Sequence, residues 1–439
     1  MRKKLQSWFI YTVLMFIYKC LFDFMFLPVY YEVFSYMTGA NYVYSSIKYS
    51  FSIVAFIILM IFSIHIFDKD DIYSPIITIL YTICIIPMLS VYAFVSFVTV
   101  DEILYPLIFW IILLLYLNRK KKIHNENEKN IIKIPALKPA SEGILLICFI
   151  CTIVCWAWAG FPILLNLSDS TAQRIALRAN SMPVLLGYVF MLLGGVILPY
   201  LFSRFLNSNK LLYAFISFIS GFLLFSINGM KTWIFLYLFA IVLVVLCNIA
   251  KNNVKLICYM IIIGLYLLLL FCVFSFSKYG KIDFLSQFGR VFCIPNGIGF
   301  RSISFFKHNE VLLLRESILR HLFETPYPGG SDFFIDYGAN RTLTSARSNN
   351  GLWGDAYRNF GIMGMFIYPL AIGKMLDIIR ISTKGLDVKF QIFVMFLMIW
   401  NSVNISFFTW LLTGGVIVVY IINCFFSKED LTELNDKVF

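Results

Sequence analysis

Residues 347–364, RSNNGLWGDAYRNFGIMG, gather many of the groups in this chain best suited to chemistry. Arg347 and Arg358 carry permanent positive charge, Asp355 a carboxylate, Asn349, Asn350 and Asn359 amides, and Tyr357 a phenol. A helix starting near Gly354 sets Asp355, Arg358 and Asn359 at i, i+3 and i+4 on one face, where Asp355 can pair with Arg358. Asp355 in the first turn also suits the positive end of the helix dipole. Gly361 and Gly364 permit close approach of another helix. A capped, well-packed helix start accounts for Asp355 and the glycines. It does not account for Arg347, Asn349, Asn350 and Tyr357 in the same stretch, and polar groups lining a cavity near a membrane point to function.

A second concentration of charge is cationic. Lys278, Lys281, Arg290, Arg301, Lys307, Arg315, Arg320, Arg341 and Arg347 fall between 277 and 354. Arg174 and Arg178 stand i, i+4 in NLSDSTAQRIALRANSM, 166–182. Guanidinium forks match phosphate and carboxylate oxygens two at a time and keep their charge. Each charge-assisted hydrogen bond contributes about 1.5–3 kcal/mol. Arg174, Arg178, Arg341 and Arg347 together suit a lipid-linked phosphate or pyrophosphate. The plainer alternative for any single arginine is an ion pair with Glu310, Glu316, Glu324, Asp332 or Asp336, or with lipid headgroups.

What must position these groups is a membrane scaffold. The 439 residues are 60% hydrophobic and 14% charged, against about 45–50% and about 25% in a soluble domain. The apolar residues fall in runs of about 17–25, the length that crosses a bilayer core. They predict an all-α polytopic membrane protein with about twelve spans: 8–29, 49–67, 74–98, 101–118, 143–161, 183–203, 210–228, 231–249, 255–276, 355–376, 388–404 and 406–426. The division of 388–426 falls at NSVNIS. The first run, after Arg2, Lys3 and Lys4, is too long for a signal-peptide core and reads as a retained helix.

Basic residues orient the spans. With the N-terminus inside, cytoplasmic segments hold Arg119 to Lys122, Lys129, Lys133, Lys138, Arg204, Lys210, Lys251, Lys255, Lys374, Arg380, Lys384 and Lys389. That bias puts both termini in the cytoplasm. It also accounts for much of the +12 net charge, helped by anionic membrane lipid and with no call for nucleic acid. The organisation is then residues 1–276, nine helices with short loops; 277–354, one large external loop; and 355–439, the last three helices and a cytoplasmic tail.

A loop that long is functional or disordered, and this one is too apolar for disorder. Around 308–323, Val311, Leu314, Ile318 and Leu322 form one stripe, which predicts a helix lying in the membrane interface. ETPYPGGSD, 324–332, reads as a turn. The loop is expected to fold as a lid over the outer face.

Other signals carry less. Nine of the ten cysteines lie in apolar runs as small hydrophobes, and Cys293 alone falls in the external segment. DKD at 68–70 is too short to argue a sugar-nucleotide site. Lys19 and Asp23 stand i, i+4 within the first span and read as an internally satisfied pair. His308 and His321 suit the polar face of a surface helix. No pattern calls for a metal or a cofactor.

The stretch ARSNNGLWGDAYRNFGIMGMFIYPLAIGKMLDII closely resembles the segment after the large periplasmic loop of Wzy-type oligosaccharide repeat-unit polymerases. Their pattern G-x-x-G-D-x-Y-x-N-F-G-x-x-G is met by Gly351, Gly354, Asp355, Tyr357, Asn359, Phe360, Gly361 and Gly364. The layout of spans and loop is similar too. In INGMKTWIF, 227–235, Lys231 stands where that family usually has arginine. Its R-x10-G motifs are matched only by Arg174 to Gly187 and Arg341 to Gly354, each two residues longer.

The resemblance implies polymerisation of undecaprenyl-pyrophosphate-linked oligosaccharides by glycosyl transfer at the periplasmic face of a bacterial inner membrane. The product would be O-antigen, capsule or another surface polysaccharide, with a chain-length regulator and a flippase as pathway partners. In that chemistry Arg174, Arg178, Arg341 and Arg347 neutralise the leaving pyrophosphate, helped by Arg358 and Lys231. Asp355 is the first candidate for a base, with His308 or His321 behind it. Asn349, Asn350, Trp353 and Tyr357 offer surfaces for sugars. An O-antigen ligase, and a flippase or other transporter of the same lipid-linked sugars, are the alternatives.

Overall fold

Backbone amides inside a bilayer find no water, so apolar runs of this length close their hydrogen bonds as helices. The computed structural model describes residues 2–38, 40–68, 72–119, 141–164, 173, 182–317, 319, 322–327, 330–331, 351–403 and 405–426. Among these, 11 helices are long and apolar enough to cross a membrane. They are α1 (Lys4–Ser35), α2 (Ser46–Phe67), α3 (Tyr73–Phe94), α4 (Asp101–Asn118), α5 (Ser141–Trp158), α6 (Val184–Asn207), α7 (Leu211–Asn228), α8 (Lys231–Ile249), α9 (Val254–Tyr279), α12 (Leu352–Ser382) and α14 (Phe407–Cys424). The shorter apolar helix α13 (Val388–Ser402) precedes α14, so the expected division of 388–426 holds. Two more helices, α10 (Asp283–Phe292) and α11 (Ile294–Phe306), fold the first part of the large loop. The chain is a multi-pass, all-α membrane protein.

Among the described residues, three π-turns interrupt the spans, at Phe22–Phe26 in α1, Tyr81–Ile85 in α3 and Leu193–Ile197 in α6. Each ends two residues before a proline: Pro28, Pro87 and Pro199. A proline ring crowds the carbonyl one turn back and offers it no N–H. Widening the preceding turn by one residue takes up both defects.

The chain divides into two compact units. The first contains α1–α4, α9–α11, α12 as far as Lys374 and residues 402–408. Its hub is α3, buried along almost its whole length and packed on α2 and α9. Lys19 Nζ lies 2.6 Å from Asp23 Oδ2 with both side chains fully buried, the pair expected from their spacing. Asp23 Oδ1 has no hydrogen-bond partner among the described residues, so the pair is satisfied only in part. At one end of this unit Asp68 pairs with Lys4 and, at 3.8 Å, with Lys255. At the other, Tyr42 and Val95 form an antiparallel bridge. There Lys48 Nζ donates to the Val95 and Val98 carbonyls at 2.7 and 3.2 Å. The second unit holds α5–α8, the end of α12 from Met375, α13 as far as Asn401 and the rest of α14.

Among the described residues of 308–323, the expected interfacial helix is not formed. Described residues from 311 onward form successive turns, with Leu313 and Leu314 in left-handed backbone at φ 49° and 67°. The N–H groups of Leu312, Leu313 and Leu314 are spent on acceptors in 358–359 rather than one turn back in their own segment. Among the described residues of the loop, the helices that follow α9 are α10 and α11. Cys293, between them, is 1% exposed, and burial pushes its thiol well above the usual range. His308 is exposed on the loop after α11, and His321 lies outside the described residues.

Candidate functional site

The polar motif builds a short helix of its own. Gly361 sits at φ 57°, ψ −139° inside α12, dividing it into 352–360 and 362–382. An L-residue other than glycine does not adopt that conformation without strain. The short helix then folds back, so a Cβ on Gly364 would overlap the Ala356 carbonyl. The span expected to run from 355 therefore starts after Gly361, and the motif precedes it as a separate element.

Packing fixes one side of the short helix against α11. Gly354 meets Gly299 backbone to backbone, with a Cβ on Gly354 only 2.9 Å from the Gly299 Cα. Trp353 lies over Gly299, donates from Nε1 to Asn296 Oδ1 at 3.2 Å and meets Phe300 edge-on. Tyr357 packs T-shaped on Tyr105, centroids 4.9 Å apart. Trp353 and Tyr357 are buried, so in this structure protein covers the rings expected to meet sugars.

Asp355 is buried with both oxygens occupied. Oδ1 accepts from Asn359 Nδ2 at 3.0 Å and Oδ2 from the Phe407 N–H at 2.9 Å. It thus caps the first turn of α14, where backbone N–H groups lack partners. The buried Tyr368 hydroxyl makes no hydrogen bond of good geometry. Arg358 pairs with Glu316 rather than with Asp355.

Around Glu316 the donors converge. Arg358 Nη2 donates to Glu316 Oε2 and to Ser331 Oγ. The Ser331 N–H reaches Glu316 Oε1 at 2.6 Å, the Ser331 hydroxyl reaches Oε2 at 2.7 Å, and the Thr325 hydroxyl reaches Oε1 at 2.9 Å. Beside them, the N–H groups of Leu312 and Leu313 reach the Arg358 and Asn359 carbonyls at 3.0 Å each, and that of Leu314 reaches Asn359 Oδ1 at 3.1 Å. These bonds satisfy acceptors at the end of the short helix that no further turn supplies. Residues 311–317 thereby form a strap across it.

Several loop cations take local partners. Arg315 pairs with Glu310 at 2.5 Å and Lys307 with Asp101 at 2.5 Å, while Arg301 lies over the Phe97 ring at 4.2 Å. Glu102, buried at the start of α4, accepts from the Thr99 N–H at 3.0 Å and the Ser304 hydroxyl at 2.5 Å.

Of the residues singled out by sequence, Trp353, Asp355, Tyr357 and Arg358 share the short helix. Lys231, half-buried, begins α8 in the second unit. Arg174, Arg178, Arg341, Arg347, Asn349 and Asn350 lie outside the described residues. Sequence reading missed the convergence of Thr325 and Ser331 on Glu316, and named Glu316 only as one possible ion partner. Its signal was faint, a carboxylate inside the apolar VLLLRESIL run. Comparison with protein families, curated proteins and solved structures finds no match to this chain.

Proposed function

We propose that this chain is a Wzy-like membrane glycosyltransferase, polymerising undecaprenyl-pyrophosphate-linked oligosaccharide repeat units at the periplasmic face of a bacterial inner membrane. The observation that carries the reading is the short helix 352–360. Its fixed glycines, Asp355, Tyr357 and Asn359 all serve one compact element, which presents Arg358 under a loop strap at the end of a span. Resemblance of the same residues to the family pattern supplies the reaction.

In that reaction a hydroxyl of the incoming repeat unit attacks the anomeric carbon of the growing chain. The carbon–oxygen bond to pyrophosphate breaks, undecaprenyl pyrophosphate leaves, and the hydroxyl proton passes to a base or to water. Arginines that neutralise charge on the leaving group lower the barrier without an acid. Arg174, Arg178, Arg341 and Arg347 are proposed for that task, with Lys231 and Arg358 assisting and Asn349 and Asn350 at the sugars. Asp355, with both oxygens committed, is assigned here to positioning the short helix. A chain-length regulator and a flippase complete the proposed pathway.

A transporter reading draws on the Lys19–Asp23 pair inside α1, since buried charge within spans marks translocation paths. The test is the length distribution of surface glycan in cells lacking the chain, complemented with wild type or Arg347→Ala. A polymerase predicts collapse of a ladder to single repeat units, unrescued by Arg347→Ala at normal protein level. Loss of all surface glycan, single units included, would replace the polymerase with a transporter or ligase.

A further inference from the structure

We propose that the Glu316 carboxylate occupies an anion cradle made by Arg358, Ser331 and Thr325, and that a phosphate or pyrophosphate group takes its place. Neutralising Arg358 needs one carboxylate contact. Glu316 receives in addition a backbone N–H and two hydroxyls, from residues 9 and 15 positions along the chain. A guanidinium, a backbone N–H and hydroxyls directed at paired oxygens are the donor set that recognises phosphate. The Arg358 side chain is 7% exposed and that of Glu316 17%. The carboxylate is the more accessible of the two, so an incoming anion competes with it for the guanidinium.

The strap is built to yield. Glu316 closes a run of turns in which Leu313 and Leu314 hold φ 49° and 67°, a backbone region that branched, bulky residues rarely occupy. Such strain persists only where surrounding bonds hold it, and it concentrates at ligand clamps and switches. Here those bonds are the contacts of 312–314 to the short helix and the ring of donors on Glu316. An anion that takes the donors releases Glu316, and with it the ion pair that ties the strap to Arg358. Binding and opening are then one event, which exposes the short helix when a phosphate-bearing substrate is in place. The inference deepens the polymerase reading, with the pyrophosphate of the lipid carrier as the ligand. A phospholipid headgroup offers the same chemistry.

The test uses the purified full-length protein in lipid-free detergent, titrated with inorganic pyrophosphate and followed by indole fluorescence, since Trp353 lies on the strapped helix. Glu316→Gln removes the competing charge and is expected to bind pyrophosphate about tenfold more tightly than wild type, while Arg358→Gln abolishes binding. The paired variant Thr325→Val/Ser331→Ala, with the ion pair intact, is expected to weaken binding several-fold. Wild-type affinity in Glu316→Gln, or binding retained in Arg358→Gln, overturns the proposal. Should either of those variants fail to fold, unchanged affinity in the paired variant overturns it.

Nanodiscs separate the sources. Pyrophosphate affinity lowered by phosphatidylglycerol relative to phosphatidylcholine assigns the cradle to headgroups, and equal affinity assigns it to the carrier pyrophosphate. Pyrophosphate binding by a chain whose deletion leaves the glycan ladder intact keeps the cradle and removes the polymerase. A collapsed ladder without pyrophosphate binding removes the cradle alone.

Discussion

Gly354 and Gly299 touch backbone to backbone, so a methyl group on Gly354 would stand 2.9 Å from the Gly299 Cα. The obstacle is main chain, which cannot rotate aside as a side chain does. Gly354→Ala is expected to force the short helix off α11 and cost about 1–3 kcal/mol. Thermal unfolding in detergent checks this. An unchanged midpoint would show that the contact is looser than the geometry states.

Asp355 holds the Phe407 N–H and the Asn359 amide. Asp355→Asn keeps an oxygen for Phe407, so it is expected to cost about 1–2 kcal/mol and leave glycan length unaltered. Asp355→Ala orphans both donors and costs about 2–4 kcal/mol. A stable Asp355→Asn protein that no longer extends glycan would return Asp355 to the chemistry as a base.

Cys293 combines 1% exposure with a thiol pushed well above the usual range by burial. The thiolate is the reactive form, so Cys293 in the folded protein is expected to resist maleimide at pH 8. It should label in full once the chain is unfolded. Rapid labelling of the native protein would mean that α10 and α11 do not enclose it.

Lys19 and Asp23 are fully buried. Lys19→Met leaves a bare carboxylate and is expected to destabilise by about 3–5 kcal/mol, whereas Lys19→Met/Asp23→Leu recovers most of that loss. If the double variant is stable yet surface glycan disappears, the pair works in translocation and the transporter reading gains.

The spans were legible in the sequence because hydrocarbon leaves the backbone no alternative to helix over runs of that length. The meeting of Asp355 with Asn359, four residues apart, was legible for a related reason. Helical periodicity is local, and their 3.0 Å contact follows from it. Lys19 and Asp23 belong to the same class.

What only the tertiary structure decided are the pairings between distant parts of the chain. Arg358 had Asp355 three residues away, yet its carboxylate is Glu316, 42 positions off, because Asp355 is drawn to a backbone N–H 52 positions away. The apolar stripe at 311–322 predicted a helix from a periodicity that is real. Residues 313–317 turn instead, because the N–H groups of Leu312 and Leu313 satisfy carbonyls left open where the short helix stops at Gly361. Periodicity records which face of a segment is apolar. Which acceptor a donor finally meets depends on what the rest of the fold leaves unsatisfied, and that is not written in any one stretch.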